Sequence, residues 1–217
     1  LATEPVGTGP YQLKQFSTGE FIALEPNRDY WGEQAESDVT ISYYPDALSS
    51  INALQAGQVN VVWSMQTPEL LNTLPEEFNV EVGTTNGEVL LSMNNNAAPF
   101  DDPLVRQAVS YGVDREALND VLWEGLAADT GGQPVPPTDP WFSEHDFYEF
   151  DPERAKQLME DAGVVGTELT LTLPTVPYAQ TASELLYSQL TDIGFDVRRE
   201  SAAFPAVCLG QVMGAQD

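Results

Sequence analysis

Basic residues are scarce in this chain: two lysines, Lys14 and Lys156, and six arginines stand against 34 acidic residues, for a formal net charge of -26. A surface of that sign repels phosphate backbones and anionic headgroups, so no nucleic acid is expected as a partner, nor a membrane held through basic patches. The acidity is read as a solvated surface suited to high salt or to an acid-rich proteome. Cysteine is nearly absent. Cys208 cannot form an internal disulfide, and its setting in "FPAVCLGQVM" reads as packing. Histidine is equally rare: His145 is the single one, so there is no HExxH motif and no second imidazole for a zinc site, and neither metal nor cofactor is expected. A G-x-S-x-G elbow is missing too, which leaves nucleophilic catalysis without its usual framework. No apolar run approaches the roughly 20 residues that a bilayer requires. The opening "LATEPVGTGPY" has no basic or apolar leader region, so an export signal is expected outside this chain or already removed.

What is present suffices for a core. With 217 residues and 42% hydrophobic content, the chain has material for one sizeable domain or two small ones. "YQLKQF" and "GEFIALEPN", joined through Ser17-Thr18-Gly19, read as a hairpin, and "VTISYYP" as a third strand. Asp46 reads as the cap of a helix that carries Leu48, Ile51 and Leu54 and ends at Gly57; "QVNVVW" is then the strand that completes a β-α-β unit. "PELLNTL" reads as a short helix, "NVEVGTT" and "EVLLSMN" as strands. Asp101 or Asp102 caps a helix that begins at Pro103 and buries Leu104, Val105, Ala108 and Val109, with Arg106 and Gln107 outward. Asp114 caps another, with Leu118, Val121 and Leu122 inside. Residues 129–150 have no period and read as a long ordered loop. Beyond it come a helix opened by Asp151-Pro152-Glu153 and stopped by Gly163, the strand "ELTLTLP", a helix stopped by Gly194, the strand "FDVRRES" and a last helix "FPAVCLGQVMG". Alternation of this kind predicts a layered α/β lobe.

Few residues point to chemistry. "GTGP" lacks the Lys and Ser/Thr of a phosphate loop and reads as a turn with positive φ leading into the hairpin. Neighbouring carboxylates such as Asp101-Asp102 carry no weight where acids are so common, and capping accounts for Asp102, Asp114 and Asp151. Trp63 ends an expected strand, where open α/β sheets expose ligand crevices, so it is either a core residue or a crevice residue. Tyr178 opens a helix directly after a strand and is a second crevice candidate; Trp31 and Trp123 read as packing residues.

Six stretches in order resemble one family: "PVGTGPYQL", "LEPNRDYWG", "ALSSINALQAGQVNVV", "MNNNAAPFDDPLVRQAVSYGVDREAL", "YEFDPERAKQLMEDAG" and "LTLTLP". Together they resemble the extracellular solute-binding proteins of family 5, the oligopeptide- and dipeptide-binding components of ABC importers, over residues 5 to 200. The resemblance implies an α/β fold of the periplasmic-binding-protein type II kind, with mixed sheets flanked by helices. It also implies two partial lobes, 1–92 and 93–217, in a piece that lacks a third lobe and the ligand-binding loop of full-length members. The stretch from Met93 to Leu118 is then scaffold. By position, the segment at Trp63 and Ser64 and the lead-in from Asn86 to Glu88 match stretches that face the cleft. The implied partners are a peptide or other small solute and, in the parent protein, the permease subunits; the implied location is outside the cytoplasmic membrane, secreted or tethered by a lipid. Departures are the Ala-Ala-Pro run at 97–99, where a Lys-Pro-Pro type run is usual, and a loosely matched C-terminus. Oligosaccharide or nickel-chelate binding on the same fold stays open, as does a carboxylate-dependent glycoside hydrolase from a different class.

Overall fold

A computed structural model describes residues 5–65, 67–83, 87–143 and 148–203. The chain divides into two compact units after Ser64. In the first, β1 (Tyr11–Ser17), β2 (Phe21–Pro26) and β3 (Val39–Ser42) form an antiparallel sheet in the order β1-β2-β3. The β1-β2 turn closes through the Glu20 N–H on the Ser17 carbonyl at 3.1 Å, with Gly19 at φ +76°, a conformation that favours glycine. A register shift between Leu13 and Gln15 marks Lys14, whose ammonium meets Asp38. The helix α1 (Ala47–Gln55) begins where the Asp46 carboxylate accepts the Ser49 N–H at 2.6 Å, and it buries Ile51 and Ala53.

Two expectations fail in this unit. Gly7 and Gly9 do not take positive φ; the turn is held instead by Asn27, whose side chain donates to the Gly9 carbonyl and whose N–H donates to that of Pro10. "QVNVVW" is not a strand, so no β-α-β unit closes on α1. Period and β-branching make a segment competent for pairing, but a strand exists only when its N–H and C=O groups meet a partner ladder. Val61 and Trp63 are correspondingly exposed, at 73% and 86%.

The second unit holds the larger core. Pro68–Thr73 forms a 3-10 turn rather than an α-helix, and the described parts of "NVEVGTT" and "EVLLSMN" pair with no strand among the described residues, for the same reason. The helices α2 (Pro103–Gly112), α3 (Arg115–Trp123) and α4 (Pro152–Asp161) are each capped as the acids predict. Asp102, Asp114 and Asp151 accept the N–H groups of Leu104, Ala117 and Arg154 at 2.8, 2.9 and 2.9 Å. Each such cap contributes about 1 kcal/mol. Then β4 (Glu168–Pro174), α5 (Pro177–Asp192) and β5 (Asp196–Ala202) make the β-α-β unit, with β4 and β5 parallel and in register from Glu168↔Asp196 to Pro174↔Ala202.

The helix α2 packs on α4, and α5 packs against both strands. Their apolar faces merge: Val105, Ala108 and Val109 from α2, Leu158 and Met159 from α4, Leu171 and Leu173 from β4, and Leu186 and Leu190 from α5 are buried together. Gly112 allows the closest approach, since a Cβ there would lie 2.8 Å from two carbons of Ile193. Arg106 is half-buried rather than outward, because its guanidinium donates to the Phe100 and Asp101 carbonyls. Val121 is 54% exposed, not inside as expected, while its neighbour Leu122 takes the core position. The expected last helix, with Cys208, lies outside the described residues, as does His145.

Candidate functional site

Tyr178 is the second residue of α5, directly after Pro177, whose ring suits the first helical turn. Its ring packs at 5.9 Å, tilted 34°, on that of Trp123, the last residue of α3. Together with Thr67, Glu69, Asp120 and Thr181, Tyr178 borders a hollow of about 230 Å³. Glu124 closes α3 in the left-handed region, at φ +51°, and Gly125 follows at φ +73°. Both oxygens of the Glu124 carboxylate accept from the Asn72 amide, at 3.0 and 3.2 Å, which ties the 3-10 turn to the end of α3.

The hollow offers an aromatic wall and carboxylates, a setting that receives an N–H donor or an apolar side chain. Among the described residues no group of three or more His, Cys, Asp or Glu is placed to hold a metal. A larger, open hollow of about 510 Å³ touches Pro99, Asp101, Asp102, Val164 and Glu168, and two of its three carboxylates are engaged. Asp102 caps α2, and Glu168 is paired with Arg198 at 2.6 Å.

The other sequence candidates fall in different places. Trp63 and Ser64 belong to the first unit, Glu88 and Tyr178 to the second. Trp63 is exposed rather than buried, and Ser64 takes φ +60°, rare for a residue with a Cβ. Glu88 is half-buried, and its Oε1 is withdrawn from solvent without a hydrogen-bond partner, the state in which an incoming N–H gains most. Asn86 lies outside the described residues. Trp123, read as a packing residue, does pack, and it supports Tyr178; Trp31, read in the same way, is 83% exposed beside Tyr30. Thr67, Glu69, Asp120 and Thr181 carry no signal in the sequence: one more acid among 34 is uninformative, and only folding brings residues near 67, 120 and 180 together.

The profile described as "Bacterial extracellular solute-binding proteins, family 5 Middle" matches residues 1–209. The chain belongs to that family. It is 34% identical over 167 residues to a heme-binding protein A of Haemophilus influenzae, covering 75% of this chain and 30% of that one. To a di/tripeptide-binding protein of Pseudomonas aeruginosa it is 31% identical over 207 residues, covering 90% and 38%. Among solved structures, a periplasmic binding protein DppA from Helicobacter pylori, in complex with peptide STSA, superimposes with TM-score 0.79 at 28% identity, covering 94% of this chain and 40% of that one. The chain therefore spans about a third of the length of these curated relatives. The mixed helix-and-sheet architecture is that of the family 5 periplasmic binding proteins, and the family is one of transport binding proteins. Among the described residues, no helix is long and apolar enough to cross a membrane.

Proposed function

We propose that this chain is part of the substrate-binding component of an ABC importer, and that its parent protein captures peptides or similar small solutes between two lobes without covalent chemistry. The observation that carries this reading is the agreement of a sequence relative named for di- and tripeptides with a structural relative crystallised with a peptide, each over at least 90% of the chain. The proposed lobe boundary, residues 1–92 and 93–217, falls within the second compact unit, which begins at Met65; Met93 packs against that unit's core, whereas Val89 to Leu91, just before it, are exposed. We infer that in the parent protein the ligand contacts come from Trp63, Ser64, Asn86, Glu88 and Tyr178. Main-chain groups hydrogen-bond an extended ligand, aromatic rings flank its side chains, and lobe closure excludes water. The parent works outside the cytoplasmic membrane, secreted or lipid-tethered, and hands its solute to permease subunits. The carrier reading is favoured over a glycoside hydrolase because the relatives are named as binding proteins.

The test is calorimetric titration of di- to pentapeptides into the full-length parent, with this chain run beside it. Saturable heat from the parent supports a peptide carrier. Silence with peptides, followed by heat from heme, a nickel chelate or an oligosaccharide, keeps the carrier and changes its solute; release of reducing sugar from an oligosaccharide would overturn the non-enzymatic reading.

A further inference from the structure

The helix ends of the second unit carry their charges in an unusual arrangement. Among the five α-helices described, none has a basic residue in its last turn. Acids stand there instead: Asp120 in the last turn of α3 with Glu124 just beyond it, Glu160 and Asp161 at the end of α4, and Asp192 at the end of α5. A helix C-terminus carries a partial negative charge of about half an electron, so a carboxylate there is repelled. Local compensation is slight. Glu124 and Asp161 accept from the neutral amides of Asn72 and Gln157, and Lys156 acts on Asp192 only through space, its ammonium being bonded to Glu153 at 2.8 Å.

Few cations remain to help. Lys14, Arg115, Lys156, Arg198 and Arg199 are each in an exposed or half-exposed ion pair, and Arg106 is engaged by two carbonyls. We propose that the second unit is a salt-conditional fold, in which counterions neutralise carboxylates that the helices hold at their unfavourable ends. The sign is fixed by range. The screening length falls from about 10 Å at 0.1 M salt to about 3 Å at 1 M, which removes dipole and long-range repulsion. The caps at Asp102, Asp114 and Asp151, hydrogen bonds of 2.8 to 2.9 Å, survive it.

The experiment is urea unfolding of the full chain, followed by tryptophan fluorescence and circular dichroism, at NaCl from about 0.05 to about 2 M, concentrations that span the screening range. Sucrose at matched osmolality is the control for solute exclusion. The unfolding constant is expected to drop by at least about tenfold across the salt series, the sum of several helix-end repulsions. A variant with D120N, E124Q, E160Q and D161N should gain most of that stability at low salt and lose most of the salt slope. A second variant with E76Q, E77Q, E149Q and E200Q removes the same charge from exposed positions away from α-helix C-termini and should keep the slope. A midpoint indifferent to NaCl, an equal response to sucrose, equal behaviour of the two variants, or no cooperative transition at any salt would each overturn the proposal.

Discussion

The two units begin from similar sequence patterns and reach different solidity. The first has three paired strands, yet every residue of β3 is exposed, and α1 buries only Ile51 and Ala53. The second has two paired strands among the described residues, but α5 spans them and α2 and α4 close the other contacts, so leucines from helix and strand meet in one core. Alternation of apolar and polar residues is thus a request for burial, and stability comes only where another layer answers it.

The largest effect should separate the units directly. Leu158→Ala, at 1% exposure in α4, is expected to cost about 3 kcal/mol, whereas Ile41→Ala in β3, at 46% exposure, should cost under about 1 kcal/mol, both read by urea unfolding. Equal costs would mean that the first unit has a core of its own. Next comes close approach: Gly112→Ala sets a methyl 2.8 Å from Ile193 and should lose about 1 to 3 kcal/mol, and Ile193→Val in the same chain should return part of the loss. A smaller contrast lies in the aromatics. Trp123→Ala removes the support of Tyr178 and should cost about 2 kcal/mol together with solute affinity in the parent, while Trp63→Ala should change stability by less than about 0.5 kcal/mol, its ring being 86% exposed.

The smallest effect is in pH. The Asp46 carboxyl is held below its ordinary value of 3.8 by the Ser49 N–H. For Asp129, burial raises the carboxyl, but bonds from Arg115 and the Gly131 N–H outweigh burial and leave it lowered as well. A depressed carboxyl contributes stability that is present above the unfolded value and is lost as pH falls through the folded one. Both contributions should therefore persist down to about pH 4 and fade below it. Carboxyl-carbon NMR titration checks this, and a midpoint above 3.8 for either residue would contradict it.

Much of the scaffold is legible without coordinates. Asp46, Asp102, Asp114 and Asp151 announce their helices because a cap is a bond within three residues. Gly57, Gly163 and Gly194 mark helix ends in the same local way, each at positive φ. The strands divide. β1 and β2 find each other across a short turn, and β4 and β5 across one helix, but "QVNVVW" and "EVLLSMN" have the pattern of strands and no partner among the described residues. Of the residues that border the hollow, Tyr178 is the one singled out by the sequence as a crevice candidate, where a helix opens after a strand.

By itself, then, the sequence determined the things that depend on near neighbours and on composition: caps, helix stops, hairpin turn, acidic surface and, through six stretches in order, the family. Tertiary structure alone decided which strand-like segments are strands, that Val121 faces water while Leu122 faces the core, and that Thr67, Asp120 and Thr181 border one hollow with Tyr178. The physical reason is the same in each case. Pairing, burial and cavity walls are set by groups distant in sequence, whose meeting no local pattern encodes.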